Sequence, residues 1–173
     1  KSVQLSRNAA YRFAQEADGI RGDQGATLSG GMVAAKAGIP EEKYFPYTET
    51  YARRIPKDAY DHRDEYKIVE AKRLPKGGDF AKSLVKWIGT GKGSGIIGVK
   101  WTSSMDEMDV IDRYSYRGSG GGHAVAVLGY DLGQGTVTIA NSWGIRWSGD
   151  GFVDMTFEAF NSMLSYKYNN CCV

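Results

Sequence analysis

Cysteine is almost missing from this sequence. Of 173 residues only Cys171 and Cys172 are cysteine, adjacent to one another and one residue from the last position. They cannot close a framework of loops, and neighbouring cysteines pair poorly because the link strains the peptide between them. The plain reading of the pair is two small residues in a terminal strand, and such usage points to a reducing compartment. Histidine is scarce too, with His62 and His123 alone. His62 sits among Asp61, Arg63 and Asp64 with no Cys or second His nearby, which makes it a surface histidine rather than a metal ligand. No metal and no cofactor is expected, since no phosphate-cradling loop occurs either. No apolar run approaches the ~18 residues of a membrane span, and no segment has the make-up of a signal peptide. Neither sign of charge dominates: 22 basic residues stand against 20 acidic ones, scattered, for a net charge of +2. That balance argues against a nucleic-acid surface. The chain opens on Lys1 rather than Met, as a processed product or an internal portion does.

What is present suits one substantial domain or two small lobes sharing an interface. Apolar residues at 42% and charged residues at 24% are ordinary for a folded chain. Residues 5–18, LSRNAAYRFAQEAD, read as a helix capped by Ser6 and stopped by Gly19. A Gly-rich loop, a short helix over MVAAKAG and an aromatic-Pro segment, IPEEKYFPY, follow. TETYARRIPKDAYDHRDE, residues 48–65, reads as a charged surface connection. YKIVEAKRL, residues 66–74, alternates enough to suggest a strand. FAKSLVKWIGTG has a helical apolar stripe through Phe80, Leu84, Trp87 and Ile88. GIIGVKWT is a strand with Ile97, Val99 and Trp101 on one face. Residues 105–119 read as a short helix or turn running into a loop. Near the end, a strand at 151–155, a helix over FEAFNSML and a closing strand over SYKYNNCCV are expected.

The stretch 120–152, GGGHAVAVLGYDLGQGTVTIANSWGIRWSGDGF, carries the chemistry. Two β-branched, aliphatic runs flank Gly133-Gln134-Gly135, the signature of an antiparallel hairpin. His123 opens the first strand and Asn141 closes the second, so the hairpin brings the two side chains within reach. A His held by an amide is half of a nucleophile–base–orienter arrangement. In that chemistry His123 takes a proton from a thiol, and the imidazolium lowers the thiolate's pKa. Asn141 accepts from one ring N–H and aims the other nitrogen at sulfur. Trp143 is large enough to cover the His–Asn bond and keep water from it. Gly121 and Gly122 let the backbone come close to a substrate.

GGHAVAVLGYD followed by NSWGIRWSGDGF resembles the His and Asn signatures of papain-like cysteine peptidases. Ser148 stands where the second motif usually has Gly, and Phe152 replaces its Tyr. The resemblance extends from about Leu5 to the end. It implies an α+β, papain-like two-lobed fold: a helical left lobe over 1–65 and an antiparallel β-barrel-like right lobe over 66–173, forming one peptidase domain. It implies a cleft along the seam between the lobes. His123 and Asn141 become the catalytic pair, Trp143 the shield, and an extended peptide or protein the substrate. Gln24-Gly25-Ala26 matches the place where the family presents a Gly-Gly edge to substrate backbone, with Ala26 departing from the second Gly; Gly122 joins them as substrate-binding. Many lysosomal relatives carry disulfides, so the scarcity of cysteine points to a bacterial or viral origin.

The resemblance also implies what these residues lack. In the family the nucleophilic Cys lies ~130–150 residues before the His and Asn. Counting back from His123 lands before Lys1, so the thiol, its helix and the oxyanion-hole Gln fall outside this sequence, and the domain is N-terminally incomplete. Cys171 and Cys172, expected in a terminal strand, lack the helix N-terminus that favours a thiolate. The 173 residues alone are expected to be inactive and to need the missing N-terminal segment or a neighbouring subunit. Two readings stay open: part of a genuine cysteine peptidase, or an inactive papain-fold protein with a structural or binding role in a larger assembly such as a virion.

Overall fold

The computed structural model describes residues 2–74, 78–115, 117–148 and 150–164. The chain forms two compact units, Lys1–Ala71 and Lys72–Val173.

The first unit is built on helix α1, Arg7–Asp18, and helix α2, Leu28–Ala37. Ser6 caps α1 by accepting from the Ala9 N–H, and its own hydroxyl donates to the Phe45 carbonyl at 2.6 Å. One serine thus satisfies an orphan helix donor and ties down a distant loop. Gly19, at φ 69°, ends the helix in a left-handed turn whose N–H reaches the Gln15 and Glu16 carbonyls. Thr27 caps α2 in the same manner. The two helices meet at Gly30, where a Cβ would lie 2.5 Å from the Ala14 carbonyl oxygen. Ala9, Phe13, Ala14, Ala34, Ile39, Phe45 and Ala59 make the core.

Two sequence expectations fail in this unit. The connection over 48–65 is not wholly a surface one. It contains a short helix α3, Lys57–Asp61, after Pro56, with Ala59 fully buried and Ala52 and Ile55 packed on the core. These isolated apolar residues show no period amid the charges, which hid them. Residues 66–74 form no strand. Their backbone instead meets α2 and its exit: the Ile39 N–H donates to the Tyr66 carbonyl, and the Ile68 N–H to that of Ala35. The alternation there was weak, and Val69 is fully exposed.

Among the described residues the second unit is a five-stranded sheet in the order β1-β3-β4-β5-β2. Its strands are β1 Gly95–Thr102, β2 Val110–Ile111, β3 Gly120–Asp131, β4 Thr136–Ala140 and β5 Phe152–Thr156. Every ladder is antiparallel except β2 with β5. Helices α4, Phe80–Gly89, and α5, Phe157–Leu164, contribute Phe80, Ala81, Leu84, Ala159, Phe160, Met163 and Leu164 to its core. They meet the alternate strand residues Ile97, Val99, Trp101, Val125, Val127, Val137, Ile139, Val153 and Met155. Each large apolar side chain so buried contributes roughly 1.5–3 kcal/mol. Asp79 caps α4, and Asn161 of α5 bonds both the Asp79 carboxylate and the Ala81 N–H, tying the start of α4 to the middle of α5. The expected terminal strand over 165–173, with Cys171 and Cys172, lies outside the described residues.

Candidate active site

The site grows from the first half of β3. Gly120 must be glycine, since a Cβ there would lie 2.0 Å from the Trp101 carbonyl oxygen on β1. Gly121 and Gly122 have open space on the side a Cβ would take. His123 follows, directly opposite Val99. The β3–β4 ladder shifts register by one residue between Val127 and Gly129. Beyond that shift His123, Val125 and Val127 share a face with Ile139 and its continuation, Asn141.

His123 Nε2 and Asn141 Oδ1 lie 2.9 Å apart. The same oxygen accepts the Ser142 N–H at 2.8 Å. A backbone N–H can only donate, so the atom it meets is the amide oxygen and not the nitrogen. Nε2 must then carry the hydrogen, which leaves the Nδ1 lone pair to take a proton. The Asn141 Nδ2 is buried and forms no hydrogen bond among the described residues. Asn141 itself is anchored through its N–H to the Gly151 carbonyl at 3.0 Å.

The turn after Asn141 is tight. Gly144, Ser148, Asp150 and Gly151 all adopt positive φ, and the Trp147 carbonyl accepts the Gly151 N–H at 2.8 Å. This folding lays the Trp143 indole over the His123 ring, with centroids 5.1 Å apart and planes at 27°. Trp143 remains 45% exposed. One contributor is not evident from the sequence: Trp101 of β1 meets the His123 ring edge-on at 5.5 Å. It reads there only as a core residue of an apolar strand face, and no motif marks it.

In the first unit, Gln24, Gly25 and Ala26 lie in an exposed loop. Gly25, at φ 80°, uses its own backbone internally. Its N–H donates to the Tyr11 hydroxyl at 2.9 Å, and its carbonyl accepts from the buried Gln15 amide at 3.0 Å. Tyr11 in turn donates to Asp23 at 2.8 Å. Burial first, then that bond, pushes the Tyr11 hydroxyl above the usual phenol range, so it stays protonated. His62 is a half-exposed ring stacked on Tyr44 at 3.7 Å and bonded to Glu65 at 2.6 Å. Among the described residues no cluster of three or more His, Cys, Asp or Glu could hold a metal ion, and no helix is long and apolar enough to cross a membrane.

The α+β fold has counterparts among solved structures. Xylellain, a cysteine protease from Xylella fastidiosa, superposes with a TM-score of 0.76 at 23% identity, covering 98% of this chain and 69% of that one. The bromelain protease from Ananas comosus, solved with the E64 inhibitor, gives 0.69 at 15% identity, covering 99% and 78%. The digestive procathepsin L 3 of Tenebrio molitor larval midgut gives 0.75 at 18% identity, covering 99% of this chain and 55% of that one. No curated protein matches the sequence significantly. The profile described as papain family cysteine protease matches residues 3–171. The chain belongs to that family.

Proposed function

We propose that these residues supply the base half of a cysteine-type peptidase site that hydrolyses peptide bonds. His123 is the base, Asn141 its orienter and Trp143 the shield over their bond. The thiol comes from sequence outside these 173 residues. The observation that carries the reading is the doubly accepting Asn141 oxygen, which leaves Nδ1 of His123 as the proton acceptor. The thiol proton passes to Nδ1, and the thiolate adds to the substrate carbonyl carbon. The imidazolium then gives that proton to the leaving amine nitrogen as the C–N bond breaks. Water, deprotonated by the same ring, cleaves the resulting thioester and restores the thiol.

The substrate is an extended peptide. In the loop Gln24-Gly25-Ala26 the Gly25 N–H is already engaged by Tyr11, so the edge offered to substrate backbone centres on Ala26. Gly122, open on one side beside His123, accommodates a close approach. The test is peptide hydrolysis by the product of the full open reading frame that contains these residues. The expected result is thiol-dependent cleavage that His123→Ala lowers by about 10²–10⁴-fold. An equal, low rate for wild type and His123→Ala overturns the reading. That result favours a papain-fold protein with a structural or binding role.

A further inference from the structure

Four rings pack together around the His–Asn pair, and Trp101 touches all of the other three. Its centroid lies 5.5 Å from His123, 5.6 Å from Trp143 and 5.8 Å from Trp147. Trp143 is the ring stacked on His123, yet it is half-exposed and rides on a turn with four positive-φ residues. Two edge-on indoles flank it, Trp101 at 80° and Trp147 at 86°. Trp147 has no polar tether among the described residues, since its Nε1 is buried without a partner. Trp101 has one. Its Nε1–H donates to the Asp106 carboxylate at 2.8 Å, and the ring is 6% exposed. Asp106 stands right after the single 3-10 turn Ser103–Met105 that ends β1, so the tether links the strand end to its own exit. A ring that is buried, hydrogen-bonded and shared by three others cannot pivot without moving them.

We propose that Trp101, fixed by Asp106, is a positioning residue for His123: it holds Trp143 stacked on the imidazole and so keeps water off the His123–Asn141 bond. This rests on His123 acting as the base. An ordinary core tryptophan would affect stability alone, so the test reads the histidine. Two variants separate the roles: Trp101→Phe keeps a ring but loses the N–H, and Asp106→Ala loses only the acceptor. In the protein, each should reduce the upfield ring-current displacement of the His123 carbon-bound protons. Each should also measurably speed exchange of the Nε2-bound proton, because a displaced Trp143 opens the bond to water. The double variant should go no further than Trp101→Phe alone, since both substitutions break the same tether. In the full open-reading-frame product the loss should fall on kcat, with KM unchanged. Unchanged His123 signals in Asp106→Ala overturn the proposal, whatever happens to the melting temperature and even if Trp101→Phe fails to fold. An absence of peptidase activity in wild type, with the His123 signals still responding, overturns the peptidase reading and leaves the positioning role standing.

Discussion

Replacing Asn141 with alanine separates a residue kept for the fold from one kept for a proton. The substitution deletes an oxygen that accepts from His123 Nε2 at 2.9 Å and from the Ser142 N–H at 2.8 Å. A hydrogen bond contributes about 0.5–1.5 kcal/mol net, so two amount to about 1–3 kcal/mol. The same substitution also removes Nδ2, which is buried without a partner among the described residues. Leaving such a group unsatisfied costs about 1–3 kcal/mol, and its deletion returns a similar amount. Ser142 is exposed and finds water instead. The two sides nearly cancel, so Asn141→Ala should lie within about 1 kcal/mol of wild type, a Tm change of roughly 2–4 °C at this size. The His123 ring should respond strongly. Its Nε2-bound proton, protected in wild type by the amide oxygen and the Trp143 face, should exchange with water too fast to observe. Thermal melts and ring-nitrogen NMR on one sample make the comparison. A loss above about 3 kcal/mol, beyond what both hydrogen bonds supply, would mean that Asn141 is structural. A ring proton as protected as in wild type would refute the tautomer argument.

Two further predictions concern the frame of the site. Ser148 holds φ 45°, a left-handed conformation costing a non-glycine residue ~1–2 kcal/mol, and its hydroxyl gains only a 3.4 Å contact with the Met108 carbonyl. After the extra unfolded-state entropy of glycine, roughly 0.4–1 kcal/mol, Ser148→Gly should raise stability by up to ~1 kcal/mol, read as a higher denaturant midpoint; a lower midpoint contradicts it. The Asp79 carboxyl is held below the usual carboxylate range, first by the Lys82 N–H and then by the Asn161 amide. Its capping contribution is therefore complete above its unfolded value and is lost as pH falls through the lower folded one. Asp79→Ala should cost about 1 kcal/mol at neutral pH, and in chemical denaturation the gap to wild type should close in acid below about pH 4. A gap that widens in acid would reverse the sign of the argument.

Much of the fold is legible because local signals agree with tertiary ones. Ser6 and Gly19 bracket α1 by side-chain and backbone chemistry alone. FEAFNSML is helical over the residues its pattern marks, and the apolar face of β1 is the one its alternation gives. The misread segments are those where tertiary contacts decide. Tyr66 and Ile68 find hydrogen bonds on α2 and its exit, and Ala52, Ile55 and Ala59 reach the core singly. At the site the motifs name His123, Asn141 and Trp143. Trp101 escapes because alternation assigns it to the core beside Val99, and what distinguishes it is a tether to Asp106 that no spacing rule announces.

The pairing of His123 with Asn141 shows how a correct sequence inference can rest on an incomplete reason. A hairpin places strand ends side by side but does not say on which face their side chains emerge. Next to the turn, Asp131 pairs with Thr136, Tyr130 with Val137 and Gly129 with Thr138. Continued without a break, that register sets Asn141 opposite Ala126 and gives it the face of the even-numbered β3 residues. His123, at an odd position, would then emerge on the other side of the sheet, since side chains alternate strictly along a strand. The shift between Val127 and Gly129 leaves Leu128 as the extra residue, and beyond it Val127 pairs with Ile139 and Ala126 with Ala140. Odd positions now face odd positions, so His123 and Asn141 emerge together and their 2.9 Å contact becomes attainable. The extra residue is itself 48% exposed, as one squeezed out of the ladder would be. A leucine in an apolar run gives no sign of this. The one-residue offset that lets His123 meet Asn141 is a property of the folded ladder.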